Sequence, residues 1–518
     1  MEFLEGIEPR EYQIKIFETC IKKNCLVVLS TGLGKTLIGL MVAIERMKQF
    51  PGEKVVFLAP TRPLAEQHLM YFKKHLPELF ADMQIFTGQV NPESRKKIWE
   101  TADIIFSTPQ CISHDVKNNL YDLKNVCLLV EDEAHRCMKN YDYNFIAKNY
   151  VETAMNPRII GLTASPGSEK SKIKEICRNL SIEEVELRGR ESSDVKNYIQ
   201  ELEFEKIIID FPPELEEIRQ ALLKLLMKYI NELKNRRLLF GPPTKTALIE
   251  LQKKIMHSIS IGNKNFNYLA ASSVCAQAIK IQHALELLET QTLQSFNNYL
   301  KELLHQSSEK KSKGVVKLVA RPEFTFAYLR SNILLEKRIE HPKVQELISI
   351  IKKEFKNNES AKIIVFTQFR DTASIISKRL NEIKNVRSKI FVGQAKRTNA
   401  GQITGLNQKE QREIINQFSS GELNVLCATS IGEEGLDIPE VNVVVFYEPI
   451  PSAIRAIQRA GRTARLIKGK LIVLITRKTR DEAYFYVSKA REKKMHESIG
   501  SIKEDMQNKL RDTQKELK

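Results

Sequence analysis

Two stretches of this 518-residue chain alternate short apolar runs with helical patterns, and this alternation constrains the fold more than any other feature. The first stretch covers roughly residues 10–200 and the second roughly 341–485. The strand-like runs are CLVVLS, KVVFLAP, DIIFSTP, VCLLVED and RIIGLTAS, followed by KIIVFTQ, NVLCATS, VNVVVFYEP and KLIVLITR. Strands that alternate with helices form parallel sheets covered by helices. We therefore predict an α/β fold with two such sheets, and we expect ligands at the carboxyl ends of the strands.

The segment between the two stretches, about 212–340, is rich in Leu, Lys, Glu and Gln and contains IRQALLKLLMKYINEL, which has helical spacing. Residues 214–340 hold 20 Lys and Arg against 12 Asp and Glu, a net charge of +8. We predict an all-α insertion between two sheet domains. The predicted units are 1–200 (first domain), 201–340 (insertion), 341–485 (second domain) and 486–518 (a polar, charged tail). The strand-like EFEKIIIDF leaves the boundary near 200–212 open, because this run could belong to the second sheet.

The net charge of +17 and the pI of about 9.3 predict a polyanionic partner, most often nucleic acid. Solvated lysines on a basic protein would give the same balance. The sequence contains no run of roughly 18 apolar residues, the length needed to cross a membrane. The first residues, MEFLEGIEPREYQ, lack the features of a secretory signal. The eight cysteines are scattered without a C-x-x-C pair, which favours neither disulfides nor a zinc site. We expect an intracellular protein without a membrane partner, in the cytoplasm or nucleoid if the source is archaeal.

The segment LVVLSTGLGKTLIG, residues 26–39, has the pattern of a phosphate-binding loop between a buried strand and a helix. Such a loop needs small residues, a lysine for the β- and γ-phosphate oxygens, and a hydroxyl for Mg²⁺. Leu29 stands where the common pattern has glycine or alanine, and a chance glycine turn is the alternative. The candidate phosphate-binding residues are Ser30, Thr31, Gly32, Leu33, Gly34, Lys35 and Thr36.

The run LLVEDEAHR places two carboxylates, Asp132 and Glu133, at the end of an apolar strand. An aspartate there can hold Mg²⁺, and the adjacent glutamate can polarise the water that attacks the γ-phosphate. Taken alone, the run could also be an acidic loop that caps a strand. Together with the loop at 30–36, it predicts an ATP site with Thr36 and Asp132 as the magnesium ligands.

The run IQRAGRTAR contains Arg459, Arg462 and Arg465 at three-residue spacing, so the three could share one face of a helix. An arginine from another domain can stabilise the negative charge that develops on the γ-phosphate. A solvated basic helix and a direct contact with nucleic acid are the alternatives. If the run closes on the phosphate loop, hydrolysis depends on domain closure.

The motifs, taken in order, resemble those of superfamily 2 helicases along most of the chain. They are PREYQ (9–13), STGLGKT (30–36), APTRPLAEQH (59–68), TG (87–88), STPQ (107–110), DEAH (132–135), TAS (163–165), IIVFTQFR (363–370), ATSIGEEGLDIPE (428–440) and QRAGRTAR (458–465). Within that superfamily, LAPTRPLAEQH, IFTGQV, FVGQA and VVFYEPIPSAIRAIQRAGRTAR resemble the archaeal Hef and Fanconi anaemia M-type helicases. That family has a thumb-like helical insertion that engages branched DNA. RIG-I-like and Dicer helicases, which act on double-stranded RNA, share the insertion. After about residue 486 nothing resembles the nuclease that many archaeal relatives carry.

The resemblance implies two RecA-like motor domains and a nucleotide site. Lys35 and Thr36 would hold the phosphates and Mg²⁺, while Asp132 would be a metal ligand and Glu133 the base. The further implied contacts are Arg10 and Gln13 at the adenine, Gln458, Arg462 and Arg465 at the γ-phosphate, and Gly435 and Asp437 on the sugar side. A helix or turn cap is the alternative for Asp437.

The resemblance also implies a nucleic-acid path across the opposite face of both motor domains. The matching residues are Arg62, Thr87, Gly88, Thr108, Gln368, Arg370, Gly393, Gln394 and Thr429. Such contacts with phosphates carry no sequence code, so we expect non-specific, salt-sensitive binding. Each residue could instead be a turn former or a strand-end cap. Thr163 and Ser165 are expected to relay between the two faces.

The insertion offers a candidate basic surface for the second arm of a branched duplex. Its residues are Lys234, Arg236, Arg237, Lys253, Lys254, Lys310, Lys311 and Lys313. Solvated lysines on a helical bundle are the alternative. Phe324, Phe326 and Tyr328 alternate, and we expect them to pack in a core rather than to stack on bases.

Together these features predict an ATP-dependent DNA helicase or translocase for forked and branched DNA, with ATP and Mg²⁺ as cofactors, in repair and recombination. An RNA-directed helicase and an ATP-gated sensor that clamps duplexes without unwinding them are the alternatives. A replication clamp and a nuclease are protein partners that the resemblance leaves open.

Overall fold

The computed structural model describes residues 3–77, 79–189, 192–198, 202–262, 265–393, 397–399, 402–429, 439–450 and 469–516. The first sheet contains β1 (Cys25–Leu29), β2 (Lys54–Leu58), β3 (Met83–Phe86), β4 (Ile104–Ser107), β5 (Val126–Asp132), β6 (Ile159–Thr163) and β7 (Glu184–Arg188). The strands are hydrogen-bonded in the order β3-β4-β2-β5-β6-β1-β7, and every pairing is parallel. The parallel sheet predicted for this stretch is therefore confirmed.

Helices cover both faces of this sheet, which explains why its central strands read as unbroken apolar runs. They are α1 (Glu11–Lys22), α2 (Lys35–Gln49), α3 (Arg62–His75), α4 (Pro92–Thr101), α5 (Pro109–Lys117), α6 (Asp142–Thr153), α7 (Lys170–Asn179) and α8 (Ser193–Lys196), with a 3₁₀ turn at Ala134–Arg136. One apolar core lies on each face of the sheet. The two edge strands, β3 and β7, have no counterpart among the predicted runs.

The second sheet is also parallel and is confirmed. Its strands are β8 (Leu202–Ile209), β9 (Ile363–Phe366), β10 (Ser388–Phe391), β13 (Val425–Ala428), β14 (Val443–Phe446) and β15 (Gly469–Thr476), and a separate hairpin consists of β11 (Arg397–Asn399) and β12 (Gln402–Thr404). The order is β10-β13-β9-β14-β15-β8. Its helices are α15 (Pro342–Asn357), α16 (Arg370–Leu380) and α17 (Gln408–Ser420). Because β8 pairs with β15, the strand at 202–209 belongs to the second sheet although it precedes the insertion.

The insertion is an all-α bundle, as predicted. Its helices are α9 (Pro213–Asn235), α10 (Lys245–Ser260), α11 (Phe266–Thr290), α12 (Leu293–Ser308), α13 (Lys313–Val319) and α14 (Pro322–Glu336). In α9, buried Leu215, Ile218, Leu222 and Leu225 recur at helical spacing and line the core of the bundle. At the junction with the second domain, the fully buried side chains of Lys343 and Asp481 form an ion pair.

A long last helix, α18 (Arg480–Glu516), connects all three units. At its start, Arg480 donates to Gln282 Oε1 of the insertion (2.6 Å). Further along, buried Met495, Ile499 and Ile502 pack into the core of the first domain. The segment predicted as a polar tail is thus helical and buries one apolar stripe. None of the helices in the described part of the chain is long and apolar enough to cross a membrane.

Candidate nucleotide site and nucleic-acid interface

The loop between β1 and α2 has the backbone of a phosphate-binding turn. Gly32 has φ +86° and Gly34 has φ +82°, values that favour glycine because other residues would be strained there. A Cβ added at Gly34 would also lie 2.2 Å from Gln13 Nε2, so a larger residue would have to displace the end of the Gln13 side chain. α2 begins at Lys35, which places Lys35 and Thr36 in the helix's first turn, where free N–H groups and the helix dipole favour anions.

Gln13 of α1, which was predicted to contact adenine, packs against this loop. Gln13 Nε2 donates to Leu33 O (3.1 Å), and Tyr12 Oη donates to the same carbonyl (2.9 Å). Gln13 Oε1 accepts from the backbone N–H of Arg10 (2.8 Å), which orients the amide. Lys35 Nζ donates to Leu29 O (2.9 Å), so the loop closes back on the end of β1. Tyr12 was not among the predicted residues.

The two predicted magnesium ligands lie on either side of one histidine. His68 Nε2 is 2.9 Å from Asp132 Oδ2, and His68 Nδ1 is 3.5 Å from Thr36 Oγ1. Burial alone would raise the pKa of Asp132, but the hydrogen bond from His68 and the nearby positive charges, including that of Lys35, outweigh burial and lower it. The carboxylate is thereby kept ionised, as a metal ligand must be.

The residue after Asp132 has an unusual backbone. Glu133 adopts φ +51°, in the left-handed region, which turns the chain sharply at the end of β5. Its Oε2 is 3.2 Å from His135 Nδ1, and that nitrogen is also 3.2 Å from Thr163 Oγ1. Thr163 Oγ1 in turn accepts from the backbone N–H of Ser165 (3.2 Å). The DEAH and TAS segments are therefore joined through side chains.

The residues predicted to contact nucleic acid in the first domain lie near the start of α3. Arg62 Nε donates to Glu66 Oε1 (2.7 Å), and its guanidinium also reaches Gln89. The other predicted residues are Thr87, whose Oγ1 accepts from the backbone N–H of residue 89 (3.4 Å), Gly88, beside which a Cβ would meet nothing within 4 Å, and Thr108, which precedes α5. Glu66 also pairs with Arg412 of α17, so it connects the two motor domains.

In the second domain, the predicted residues lie at the carboxyl ends of the strands. Arg370 donates to Gly393 O (3.1 Å), which brings two of them together. The backbone N–H of Gln368 donates to the buried carboxylate of Glu448. Thr429 is buried and its N–H donates to Phe391 O (3.1 Å). The predicted Gln394, Gly435, Asp437, Gln458, Arg462 and Arg465 lie outside the described residues, as does Arg459.

Several residues of this arrangement were missed by the sequence reasoning: Tyr12, Glu66, His68 and Glu448. All four stand inside quoted motifs: Tyr12 in PREYQ, Glu66 and His68 in APTRPLAEQH, and Glu448 in VVFYEPIPSAIRAIQRAGRTAR. Their partners can be identified only when the order of the strands in the sheets is known.

The chemistry of this edge fits a magnesium nucleotide. A lysine, a hydroxyl and an ionised carboxylate meet beside a glycine turn at a helix N-terminus. Among the described residues, no group of three or more His, Cys, Asp and Glu could hold a metal ion by itself. The combination of a lysine, a hydroxyl and a carboxylate suits Mg²⁺, which usually takes one or two protein ligands and completes its shell with phosphates and water.

Comparison with known proteins identifies the class. Residues 10–173 match the DEAD/DEAH box helicase family, residues 342–467 the helicase conserved C-terminal domain, and residues 214–331 a helical bundle described for ATP-dependent RNA helicases. The fold and the site thus define a superfamily 2 helicase with two RecA-like domains and a helical insertion. The crystal structure of the Pyrococcus furiosus Hef helicase domain is 40% identical, with a TM-score of 0.70, and the match covers 93% of this chain and 98% of that one. The chain belongs to the Hef, Fanconi anaemia M and Mph1 family of helicases.

Longer relatives include a protein of Methanocaldococcus jannaschii named as an ATP-dependent RNA helicase, 38% identical over 94% of this chain and 60% of its own length. The ATP-dependent DNA helicase Fml2 of Schizosaccharomyces pombe is 32% identical over 93% of this chain and 62% of its own length. The Fanconi anemia group M protein homolog of Mus musculus is 30% identical over 95% of this chain and 26% of its own length. The chain therefore spans less than two thirds of these relatives.

Proposed function

We propose that this chain is an ATP-driven DNA helicase or translocase that acts on forked and branched DNA. The observation that carries the proposal is the meeting of Lys35, Thr36 and Asp132 at the carboxyl edge of the first sheet. A second parallel sheet, joined to the first through the Glu66–Arg412 pair, supplies the partner domain that a motor needs.

In the proposed nucleotide site, each residue has a distinct task. Lys35 and the N–H groups of the loop bind the β- and γ-phosphates, and Thr36 and Asp132 would hold Mg²⁺. When bound, Mg²⁺ would supply positive charge against the charge that develops on the phosphates. Glu133 orients and deprotonates the attacking water, and Gln13 with Arg10 holds the adenine. The arginines of QRAGRTAR stabilise the γ-phosphate after the domains close.

In the proposed nucleic-acid path, Arg62 and Arg370 contact the phosphate backbone from the two domains. Each now donates to an acceptor of the protein, Glu66 and Gly393 O respectively, and a phosphate oxygen can replace either acceptor. Closure and opening of the domains would then move these contacts along one strand.

The insertion supports branched DNA as the substrate. Its predicted basic residues are exposed apart from Arg236, which is half-buried and pairs with Glu232 (2.9 Å). Exposed lysines and arginines on a helical bundle can bind a second duplex arm through its phosphates. The DNA helicase names of Fml2 and Mph1 relatives also favour DNA.

A second candidate is an RNA-directed helicase. The Methanocaldococcus jannaschii relative is named for RNA, and so is the family that matches the insertion. Both candidates use the same ATP site, so only the stimulating nucleic acid separates them.

The test is ATP hydrolysis by the chain at one salt concentration, with Lys35→Ala as the blank. The panel contains single-stranded DNA, duplex DNA, a synthetic fork, a four-way junction and double-stranded RNA. We expect the fork or the junction to stimulate most. Strongest stimulation by double-stranded RNA would replace this proposal with the RNA-directed one. Tight ATP-dependent binding without displacement of a labelled strand would instead indicate a duplex sensor.

A further inference from the structure

His68 lies between the proposed metal site and the proposed nucleic-acid face. The roles predicted for its neighbours do not explain its contacts. It lies on α3, two turns beyond Arg62, and its side chain is only 7% exposed. Both ring nitrogens face proposed magnesium ligands, with Nε2 2.9 Å from Asp132 Oδ2 and Nδ1 3.5 Å from Thr36 Oγ1. Phe57 of β2 packs on the ring at 4.4 Å between centroids, which fixes its tilt.

The contact with Asp132 fixes the direction of one hydrogen bond. Asp132 Oδ2 is an acceptor, so Nε2 of His68 carries a proton and donates it. Nδ1 lies 3.5 Å from Thr36 Oγ1, a hydroxyl that can donate or accept. Both contacts leave lone pairs on the Thr36 hydroxyl and on the Asp132 carboxylate for another partner.

We propose that His68 is a positioning residue for the magnesium site, which orients Thr36 and Asp132 as ligands through its two ring nitrogens. The inference rests on the proposed function, because it requires that these two side chains bind the metal of a magnesium nucleotide. A histidine that bridges two ligands from outside the coordination shell fixes their geometry before the metal arrives.

The helix that carries His68, α3, also contacts two other parts of the molecule. The helix begins at Arg62, carries Glu66 paired with Arg412 of the second domain, and then presents His68 to the metal ligands. A single rigid helix thus contacts the proposed DNA path, the second domain and the magnesium site.

The test separates metal-dependent from metal-independent nucleotide binding without turnover. The thermal midpoint of the full chain is measured with ADP across a Mg²⁺ titration and with ADP plus EDTA. The variants are His68→Ala, His68→Gln and His68→Asn. Gln carries an amide at the level of Nε2 and preserves the contact with Asp132, whereas Asn reaches only toward Thr36. His75→Gln is the matched control, because His75 is also buried on α3 but contacts Glu5 O (2.8 Å).

We expect His68→Ala to need about tenfold more Mg²⁺ for the half-maximal shift, the lower end of the loss seen when such supporting residues are removed. The shift with ADP plus EDTA stays at the wild-type value. His68→Gln recovers most of the loss, His68→Asn recovers less, and His75→Gln behaves as wild type. If His68→Ala does not fold, the order of the Gln and Asn variants decides.

An equal Mg²⁺ requirement in wild type and all three His68 variants overturns the proposal. A loss of the EDTA shift in the same proportion as the Mg²⁺ shift also overturns it, since that result indicates a general structural role. If the wild-type chain shows no Mg²⁺-dependent shift with ADP, or Lys35→Ala shows the same shift as wild type, the proposed function itself fails.

Discussion

Each motor sheet has a buried carboxylate at the carboxyl ends of its strands, but the two carboxylates have different hydrogen-bond partners. In the first sheet, Asp132 is the last residue of β5 and is paired with the side chain of His68, with Lys35 nearby. In the second sheet, Glu448 follows β14 and accepts from the backbone N–H of Gln368. Both carboxylates are nearly inaccessible, with 6% and 1% of each residue exposed.

Under the proposed function, one sheet design serves two tasks. His68 orients the Asp132 carboxylate, which also accepts from the backbone N–H of Glu133 and would take a metal. The Glu448 carboxylate accepts from the backbone N–H of Gln368 and holds a loop that would present contacts to a polyanion. The first edge would then be a reaction site and the second a support for binding.

The largest expected effect comes from removing the charge at the first edge. Asp132→Asn keeps the size of the side chain but removes the charge of a proposed metal ligand, so we expect the kcat for ATP hydrolysis to fall by a factor on the order of 100. Binding of a labelled fork without nucleotide should be unchanged. Steady-state hydrolysis at saturating ATP measures the loss, with Asp122→Asn as the exposed control. Turnover within a factor of about ten of wild type would contradict the assignment.

The matching change at the second edge should have the opposite profile. Glu448→Gln weakens the charge-assisted bond to the N–H of Gln368 and loosens the loop that carries it. We expect fork binding to weaken by about fivefold, equivalent to roughly 1 kcal/mol, while hydrolysis without nucleic acid stays within about twofold. Fluorescence anisotropy with a labelled fork measures binding, and Gln368→Ala should weaken it to a similar extent. A fall in basal hydrolysis as large as that of Asp132→Asn would remove the distinction between the two edges.

The central strands of both sheets were predictable because each is buried on both faces and reads as an unbroken apolar run. In the two large sheets, the strands that were missed, β3, β7 and β10, all lie at an edge. In these edge strands polar residues interrupt the apolar run, as in MQIF, EVELR and SKIF, and the apolar signal is lost.

The partner of Asp132 could not be predicted because it depends on strand order. β2 lies next to β5, so α3, which follows β2, covers the end of β5 and brings His68 to the carboxylate. Sequence separation gives no hint of this neighbourhood, whereas the glycines and the lysine of the phosphate loop are local and were read directly.

Two expectations from periodicity need correction or refinement. Phe324, Phe326 and Tyr328 lie in α14, where residues two apart face different sides, so Phe324 is fully buried but Phe326 is 44% exposed. Placing all three in a core was therefore wrong for Phe326. In α18, the spacing of Met495, Ile499 and Ile502 is helical, but the many charges around them hid the stripe.

A third prediction sharpens the picture of the first edge through the residue before Asp132. Burial raises the pKa of Glu131 well above its usual range, whereas that of its neighbour is lowered. A raised folded-state pKa means that Glu131 favours folding most below its unfolded pKa of about 4.3, and that this contribution is lost as the pH rises. Glu131→Gln removes this dependence. The thermal midpoint of the variant minus that of wild type should increase by a few degrees as the pH is raised from 5 to 8. This increase corresponds to about 1 kcal/mol or more in the free energy of unfolding. A constant difference across that range would show that Glu131 is ionised in the folded chain.

The smallest effect is expected in the insertion, where the buried carboxylate of Glu286 pairs with Lys245 and His283. Burial alone would raise the pKa of Glu286, but hydrogen bonds from His283 and Lys245 outweigh it and lower the pKa to about 2. A lowered folded-state pKa stabilises the fold above the unfolded value of about 4.3, and this stabilisation is lost as the pH falls toward about 2. Glu286→Gln should therefore be less stable than wild type at pH 7, and the gap should narrow by about 1 kcal/mol at pH 3.5. Urea unfolding followed by circular dichroism at the two pH values measures the gap. An unchanged gap would indicate that packing, not charge, accounts for Glu286. Hydrolysis at pH 7 should stay at the wild-type rate because the partners of this carboxylate, His283 and Lys245, lie in the insertion.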